Sequence, residues 1–207
     1  MELKDRYLRH TYSYLALRKA VGWIGILLPF ILIIGGLFLF NEDIQKSISS
    51  YYYTRMGNLF VGSICAIALF LFFYTGYDRW DNWLGNLTGF SGLGIAFFPA
   101  TETGLNSLTG YVHLISAAIF FLALALFSLF LFTRKGSSPT PQKLVRNKIY
   151  TVCGLTIIVS MVAIIIYFIL TSNNEPESTF VFWAETVALI AFGISWLVKG
   201  GTLYPDR

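Results

Sequence analysis

The chain has 207 residues, of which 56% are hydrophobic and only 13% are charged, and its mean hydropathy is +0.64. These values exclude an ordinary soluble domain, in which about a quarter of the residues are charged. The formal charge is +4, and the positive residues stand at the ends of apolar segments. Because of that position, we expect anionic lipid headgroups, and not nucleic acid, to be their partners.

Residues 1–19 predict an amphipathic helix that lies in the headgroup region of a membrane. Apolar and aromatic residues such as Leu8 and Tyr12 fall on one half of the helical wheel, and Arg6 and Arg9 fall on the other. Such a helix lies at the interface, with its aromatic side chains dipping inward. The sequence therefore divides into this helix and, over residues 20–207, a single transmembrane domain.

Six apolar segments follow, at about 21–40, 58–77, 83–100, 111–132, 149–170 and 180–198. A helix needs about 20 mostly apolar residues to cross the hydrocarbon core. The third segment is the least apolar, but Gly85, Gly89 and Gly92 recur at helical spacing, which lets helix backbones approach closely. We predict a helix packed among the others, with Asp81 as its N-cap; a re-entrant loop is the alternative.

The distribution of positive charge predicts the orientation. If all six segments cross, thirteen of the fifteen Lys and Arg residues lie on the side of the termini, and only Lys46 and Arg55 lie on the other. Positive residues concentrate in cytoplasmic loops. The expected fold is all-α, a six-transmembrane-helix bundle in the cytoplasmic membrane, with both termini in the cytoplasm.

A polar cluster is expected on the outer side. His113 stands near the outer start of the fourth segment, and Glu185 is five residues past Phe180 in the sixth. A carboxylate inside an apolar segment is costly unless it is paired or protonated, which makes it a functional candidate. We predict that Glu185 contacts His113 or Arg55, directly or through water or a bound ion. The candidate ligand-binding residues are His113, Glu185, Arg55, Tyr52, Ser49 and Glu102.

Three functions fit this cluster. The first is binding of a lipid or small amphiphile in an outward-facing polar pocket, with Arg55 at an anionic headgroup. The second is a membrane enzyme that uses His113 and Glu185 as an acid–base pair or as metal ligands. The third is a small proton-coupled transporter or channel, working as a homo-oligomer, with Glu185 as the protonation site. A purely structural Glu185–Arg55 bridge stays open, and no motif identifies a cofactor or decides whether the chain is an enzyme.

A second polar cluster is expected on the cytoplasmic side. Its members are Asp78, Arg79, Asp81, Asn82 and Asn86, near Tyr150 and Lys199. Carboxylates beside tryptophans are typical of helix caps and ion pairs at a membrane interface. A cytoplasmic headgroup site is the alternative.

The stretch GLGIAFFPA, followed by a short loop and YVHLISAAIFF, carries a resemblance. It resembles a pattern in uncharacterised prokaryotic six-helix membrane proteins that are similar to the Frag/DRAM/Sfk-type families. The matching residues are Phe98, Pro99, His113, Ala117, Phe120 and Phe121. The resemblance implies a six-helix fold and a lipid-linked function, without fixing a reaction. The six-helix hydrolases of the ceramidase type are a looser likeness, and this chain lacks their set of histidines.

Overall fold

The computed structural model describes residues 2–76, 78–100, 107–171 and 178–204, with side chains from Tyr14 onward. These residues form six α-helices and no strand, which confirms the all-α class. The helices are α1 (Glu2–Gly35), α2 (Gly57–Phe72), α3 (Arg79–Phe97), α4 (Leu108–Leu126), α5 (Pro141–Thr171) and α6 (Phe180–Lys199).

Four helical stretches are long and apolar enough to cross a membrane. They are Tyr14–Phe40, Leu108–Leu131, Pro141–Thr171 and Phe180–Lys199. The first and second include π-helical turns at Gly36–Phe40 and Phe127–Leu131. Helix α2 is apolar but has only 16 residues, and α3 is less apolar because it contains several Gly, Asn, Ser and Thr residues. The chain therefore has the helices expected of a multipass membrane protein.

Helix α1 differs from the prediction at its start. It runs without interruption from Glu2 to Gly35 and includes Pro29. The predicted boundary after residue 19 is therefore not a break in the helix. The amphipathic face predicted for residues 1–13 lies outside the side chains that the structure describes. At the other end, Asn41 stops the π-helical turn in the left-handed conformation, with φ of 55°, which asparagine tolerates better than most residues.

Contacts between the connections show that successive helices alternate in direction. The Tyr14 hydroxyl donates to the Thr75 carbonyl at 2.8 Å, which joins the early part of α1 to the α2–α3 link. Arg134 lies 2.9 Å from Asp78, which adds the α4–α5 link to the same end. We call this the basic end. At the opposite end lie the α1–α2 connection, the end of α3 and the starts of α4 and α6. We call this the cavity end.

Small residues let α3 pack directly against α2. A Cβ atom on Gly89 would lie 2.7 Å from Phe72 Cβ and 2.8 Å from the Ala68 carbonyl oxygen. A Cβ atom on Gly85 would lie 2.8 Å from the Leu71 carbonyl oxygen. The structure therefore confirms a continuous helix from Arg79 to Phe97 that packs closely against α2, while the crossing of the membrane by this helix stays a prediction.

The N-cap of α3 was predicted wrongly. Asp78, and not Asp81, accepts hydrogen bonds from the backbone N–H groups of Trp80 and Asp81, at 3.0 and 3.1 Å. Asp81 instead lies in the first turn, where it is 1% exposed and 3.2 Å from Arg134. The helix begins one turn before the apolar segment, so the cap moves upstream. The Asp81 N–H, and then Arg134, hold the pKa of Asp78 below its usual value.

The contact at Gly89 predicts a steric effect. Gly89→Leu should lower the free energy of unfolding by at least about 2 kcal/mol, because the new side chain pushes α3 away from α2. Gly62→Leu on α2 is the matched control, since a Cβ atom there meets nothing within 4 Å. Unfolding of the purified protein in detergent measures both variants. Equal stabilities for the two would mean that α3 does not depend on this approach.

The cap predicts a pH dependence. Because the folded-state pKa of Asp78 lies below its unfolded value of about 4, the ionised group stabilises the fold above that value. The contribution disappears as the pH falls through the folded-state pKa. Asp78→Asn keeps a capping oxygen but loses the charge, so its thermal stability should fall less on acidification than that of the wild type. Parallel melting curves from neutral to acidic pH measure this, and identical slopes would contradict it.

Candidate functional site

A small cavity lies at the cavity end, and we call it the His–Glu cavity. Its volume is about 30 Å³, and it is lined by Ile48, Ser49, Phe60, Ile64, Ile95, His113, Ala117, Phe120, Phe121, Glu185 and Leu189. The three polar side chains in this set are Ser49, His113 and Glu185. A single water molecule needs about 10–15 Å³ and two to four polar partners. The cavity therefore has the size and the polar groups to hold one or two water molecules.

Glu185 joins α6 to the α1–α2 connection. Its Oε2 accepts a hydrogen bond from the Ile48 backbone N–H at 2.7 Å. A second bond, from the Phe182 N–H to the Lys46 carbonyl at 3.0 Å, lies close by. Hydrogen bonds to a charged acceptor are about twice as strong as neutral ones. The carboxylate thus contributes directly to holding the connection against the start of α6.

His113 joins α4 to the end of α3. The residue is 7% exposed, and its Nδ1 lies 2.8 Å from the Phe98 carbonyl oxygen. A carbonyl can only accept, so Nδ1 carries the proton and Nε2 is the acceptor of the neutral ring. Phe98 is the C-cap of α3. The imidazole is therefore held in one orientation against the end of α3.

The structure brings three of the six predicted site residues together. His113, Glu185 and Ser49 line the same cavity, and Ser49 Oγ lies 3.1 Å from Ser47 Oγ. Glu102 lies outside the described residues. The sequence pattern thus named three residues that line one cavity, and their role as ligand-binding residues stays a prediction.

Arg55 and Tyr52 do not line this cavity. Arg55 is exposed, and its guanidinium carbon lies 5.6 Å from the centre of the Phe40 ring. Tyr52 is half-buried and packs edge-on against Tyr53, with ring centres 5.2 Å apart. Within the described part of the chain, no hydrogen bond or ion pair joins Glu185 to Arg55 or to His113. The direct contact and the structural Glu185–Arg55 bridge are therefore not found, while a contact between Glu185 and His113 through water or an ion stays a prediction.

The main partners of Glu185 and His113 are backbone groups that the sequence analysis missed. The Ile48 N–H and the Phe98 carbonyl cannot be identified from side-chain types. Tyr51 was also missed: it is 1% exposed and packs on Phe182, with ring centres 5.9 Å apart. Burial raises the pKa of this tyrosine. In a run of three tyrosines, nothing local distinguishes the buried ring from the exposed one.

The size and composition of the cavity limit its chemistry. Pockets for small organic ligands usually measure about 300–1,000 Å³, so an amphiphile does not fit the cavity as it stands. Lipid binding there stays a prediction that requires the cavity to widen. Protein zinc sites usually have three or four protein ligands, and the described residues contain no group of three or more His, Cys, Asp or Glu side chains that could hold a metal. A metal at His113 and Glu185 also stays a prediction.

A much larger cavity lies at the basic end, and we call it the basic cleft. Its volume is about 800 Å³, and the basic residues that line it are Arg18, Lys19, Arg134, Lys135, Lys143, Arg146 and Lys199. On its border, Arg134 pairs with Asp78 and Asp81 at 2.9 and 3.2 Å. These pairs and the Asp78 cap confirm the caps and ion pairs predicted for this side. The convergence of the other basic side chains was not predicted.

Comparison of the chain with models of known protein families, with curated proteins and with solved structures finds no match. The resemblance to six-helix prokaryotic membrane proteins therefore stays a prediction from the stretch around Pro99 and His113. What the chain does is inferred from its two cavities and from the charges that surround them.

Proposed function

We propose that the protein is a small proton-coupled membrane transporter or channel in which Glu185 binds and releases the proton. The observation that supports this is the His–Glu cavity, where a carboxylate and an imidazole share a water-sized space among apolar helices. Ionisable residues inside membrane helices commonly belong to proton relays or ion pathways. Water in the cavity would carry a proton between Glu185 and Nε2 of His113.

Protonation changes the bond that holds the α1–α2 connection. The charged carboxylate accepts strongly from the Ile48 N–H, whereas a neutral carboxyl group accepts more weakly. Proton binding at Glu185 therefore loosens the connection from α6. Ile48 and Ser49 belong to the α1–α2 connection and also line the His–Glu cavity. A movement of the connection away from α6 therefore widens this cavity.

The proposal includes six crossings, with both termini in the cytoplasm. Helices α2 and α3 are about 24 and 28 Å long at 1.5 Å per residue, close to the thickness of a hydrocarbon core of about 30 Å. Helix α3 can be less apolar than the others because it packs between α2 and α4. Among the described basic side chains, only Lys46 and Arg55 belong to the cavity end. The positive-inside rule then favours a cytoplasmic basic end and an outward-facing cavity end.

The length of the unbroken α1 supports a location in the headgroup region for the predicted interfacial segment, residues 1–19. The 34 residues of α1 make a helix of about 51 Å, which exceeds the hydrocarbon thickness of about 30 Å. Residues 1–19 would therefore reach the headgroup region as a continuation of the first crossing.

Membrane lipids are the expected neighbours of exposed apolar side chains such as Phe38, Phe73 and Phe130. A homo-oligomer remains part of the proposal, and a membrane enzyme that uses His113 and Glu185 remains the alternative.

Cysteine labelling tests the orientation. With Cys65 and Cys153 replaced by alanine, Ser138→Cys should react only with reagents that reach the cytoplasm, because Ser138 lies in the exposed α4–α5 link. Asp43→Cys, in the α1–α2 connection, should react with a membrane-impermeant maleimide added outside intact cells. The opposite pattern would reverse the proposed orientation and place the His–Glu cavity on the cytoplasmic side.

Proton uptake tests the function. In proteoliposomes that contain a pH-sensitive dye, an acid pulse outside should acidify the interior faster than in empty liposomes. Glu185→Gln should abolish this difference, because an amide cannot bind the proton yet still offers an oxygen to the Ile48 N–H. Infrared spectra recorded over a pH series should also contain a protonated-carboxyl band that the variant lacks.

Glu42→Gln is the matched control. Glu42 also accepts from a backbone N–H of the α1–α2 connection, that of Arg55 at 3.0 Å, but it does not line the His–Glu cavity. This variant should transport protons at the wild-type rate. Wild-type flux no greater than that of empty liposomes would reject the transport function. Wild-type flux in Glu185→Gln would reject Glu185 as the proton site.

A further inference from the structure

We propose that the basic cleft binds a phosphate group, carried either by an anionic phospholipid headgroup or by a soluble phosphorylated molecule. This inference is independent of the proposed proton function. The cleft lies at the opposite end of the bundle, and no described residue lines both it and the His–Glu cavity.

The volume and charge of the cleft favour a phosphorylated ligand. At about 800 Å³ it is large enough for a small molecule or a headgroup. Its basic side chains come from α1, the α4–α5 link, α5 and α6, and none of the described residues that line it is acidic. Like charges that the fold brings together repel one another. A bound anion offsets that repulsion, which makes an anion the expected occupant.

Arg18 provides the most specific observation. Its guanidinium carbon lies 4.4 Å from the centre of the Tyr14 ring and 5.4 Å from that of Tyr74. These aromatic contacts orient the group without neutralising it. Among the described residues, its Nε is a buried atom with no hydrogen-bond partner. Buried donors are nearly always satisfied in folded proteins, and the described residues supply no acceptor for this donor.

Two other basic side chains are oriented by carbonyl groups. Lys143 Nζ donates to the Phe132 carbonyl at 2.7 Å, and Arg146 donates to the Tyr204 carbonyl at 3.2 Å. Both bonds hold their cations at the wall of the cleft. Arg134, on its border, also pairs with Asp78 and Asp81. The fold thus holds several cations at one surface.

The other residues that line the cleft suit a ligand at a membrane surface. Leu131, Tyr150 and Val198 supply apolar contacts. Leu131 and Val198 lie at the ends of apolar stretches that are long enough to cross a membrane. The cleft is therefore at the level where lipid phosphates lie, while its openness to the basic end also admits a soluble ligand. Arginine recognises phosphate in a bidentate manner, and lysine acts as a mobile point charge.

Calorimetric titration of the purified full-length protein in a neutral detergent tests this proposal. The probes are dihexanoyl phosphatidic acid, dihexanoyl phosphatidylcholine and inorganic phosphate. The double variant Lys19→Gln/Lys135→Gln removes two cleft charges that have no ion pair in the described part of the chain. It should weaken binding of phosphatidic acid about tenfold or more, because two of the charges that attract the phosphate group are lost.

The matched control is Arg79→Gln/Lys148→Gln. It removes the same charge from exposed positions on α3 and α5 at the same end, outside the cleft. Its affinity should stay within about twofold of the wild type, since exposed charges beyond the site are screened by salt. Lys19→Arg/Lys135→Arg keeps the charge and should bind like the wild type, which separates lost charge from a damaged fold.

Each outcome decides the proposal. Binding of phosphatidic acid without binding of phosphate assigns a lipid headgroup. Binding of both probes assigns the phosphate group itself and admits a soluble ligand. If neither phosphatidic acid nor phosphate binds, or if phosphatidylcholine binds as tightly as phosphatidic acid, the proposal is overturned. Equal losses in the cleft variant and the control would also overturn it, because the effect would then be one of net charge alone.

Discussion

The hydrogen bond from the Ile48 N–H to the Glu185 carboxylate is the interaction on which the cavity end depends. The α1–α2 connection is polar and has little regular structure, yet it folds against the bundle. In surroundings of low polarity, a backbone N–H without a partner is costly, and the carboxylate supplies the partner. Once Ile48 is fixed, Ser49 reaches the cavity and Tyr51 is buried on Phe182. One side chain on α6 thus helps to order the connection that closes the site.

The position of His113 in the cavity depends on how closely α3 approaches its neighbours. A Cβ atom on Gly92 would lie 2.7 Å from Ala68 Cβ and 3.2 Å from the Phe120 ring. Glycine at this position therefore lets α3 fit between α2 and α4. That fit places the Phe98 carbonyl, at the end of α3, beside His113 on α4. The orientation of the imidazole is thus a consequence of backbone packing, which connects the glycine pattern of the sequence to the chemistry of the cavity.

Much of the fold and part of the site follow from sequence patterns. Apolar length predicted the helical class, and helix alternation placed His113 and Glu185 at one end. Arg55 was the obvious partner for Glu185 by charge, but a backbone N–H took the carboxylate instead. Backbone partners depend on how a connection folds, and side-chain types do not encode that. Aspartate is a favoured N-cap residue, so both Asp78 and Asp81 fit that position. Only the residue at which α3 begins determines which of them is the N-cap.

The start of α5 and the basic cleft were missed for different reasons. Residues 133–148 were interpreted as a link because they are polar, but α5 begins at Pro141. Thr140 accepts from the Lys143 N–H at 3.1 Å as an N-terminal cap, and a Thr-Pro pair of this kind is a recognised helix start. The cleft has no comparable local pattern. Arg18 and Lys199 are separated by most of the chain, and only the packing of α1 against α6 brings them to one surface.

Hydrogen exchange at the Ile48 amide tests most directly whether Glu185 holds the α1–α2 connection in a proton-dependent way. The measurement uses mass spectrometry on the protein in lipid nanodiscs, at neutral and acidic pH, with the intrinsic pH dependence of exchange removed. Protection of Ile48 should fall on acidification in the wild type and be low at both pH values in Glu185→Ala, while amides in the middle of α4 remain protected. Equal protection of Ile48 at both pH values, or in the wild type and Glu185→Ala, would contradict a proton-dependent hold of Glu185 on the connection.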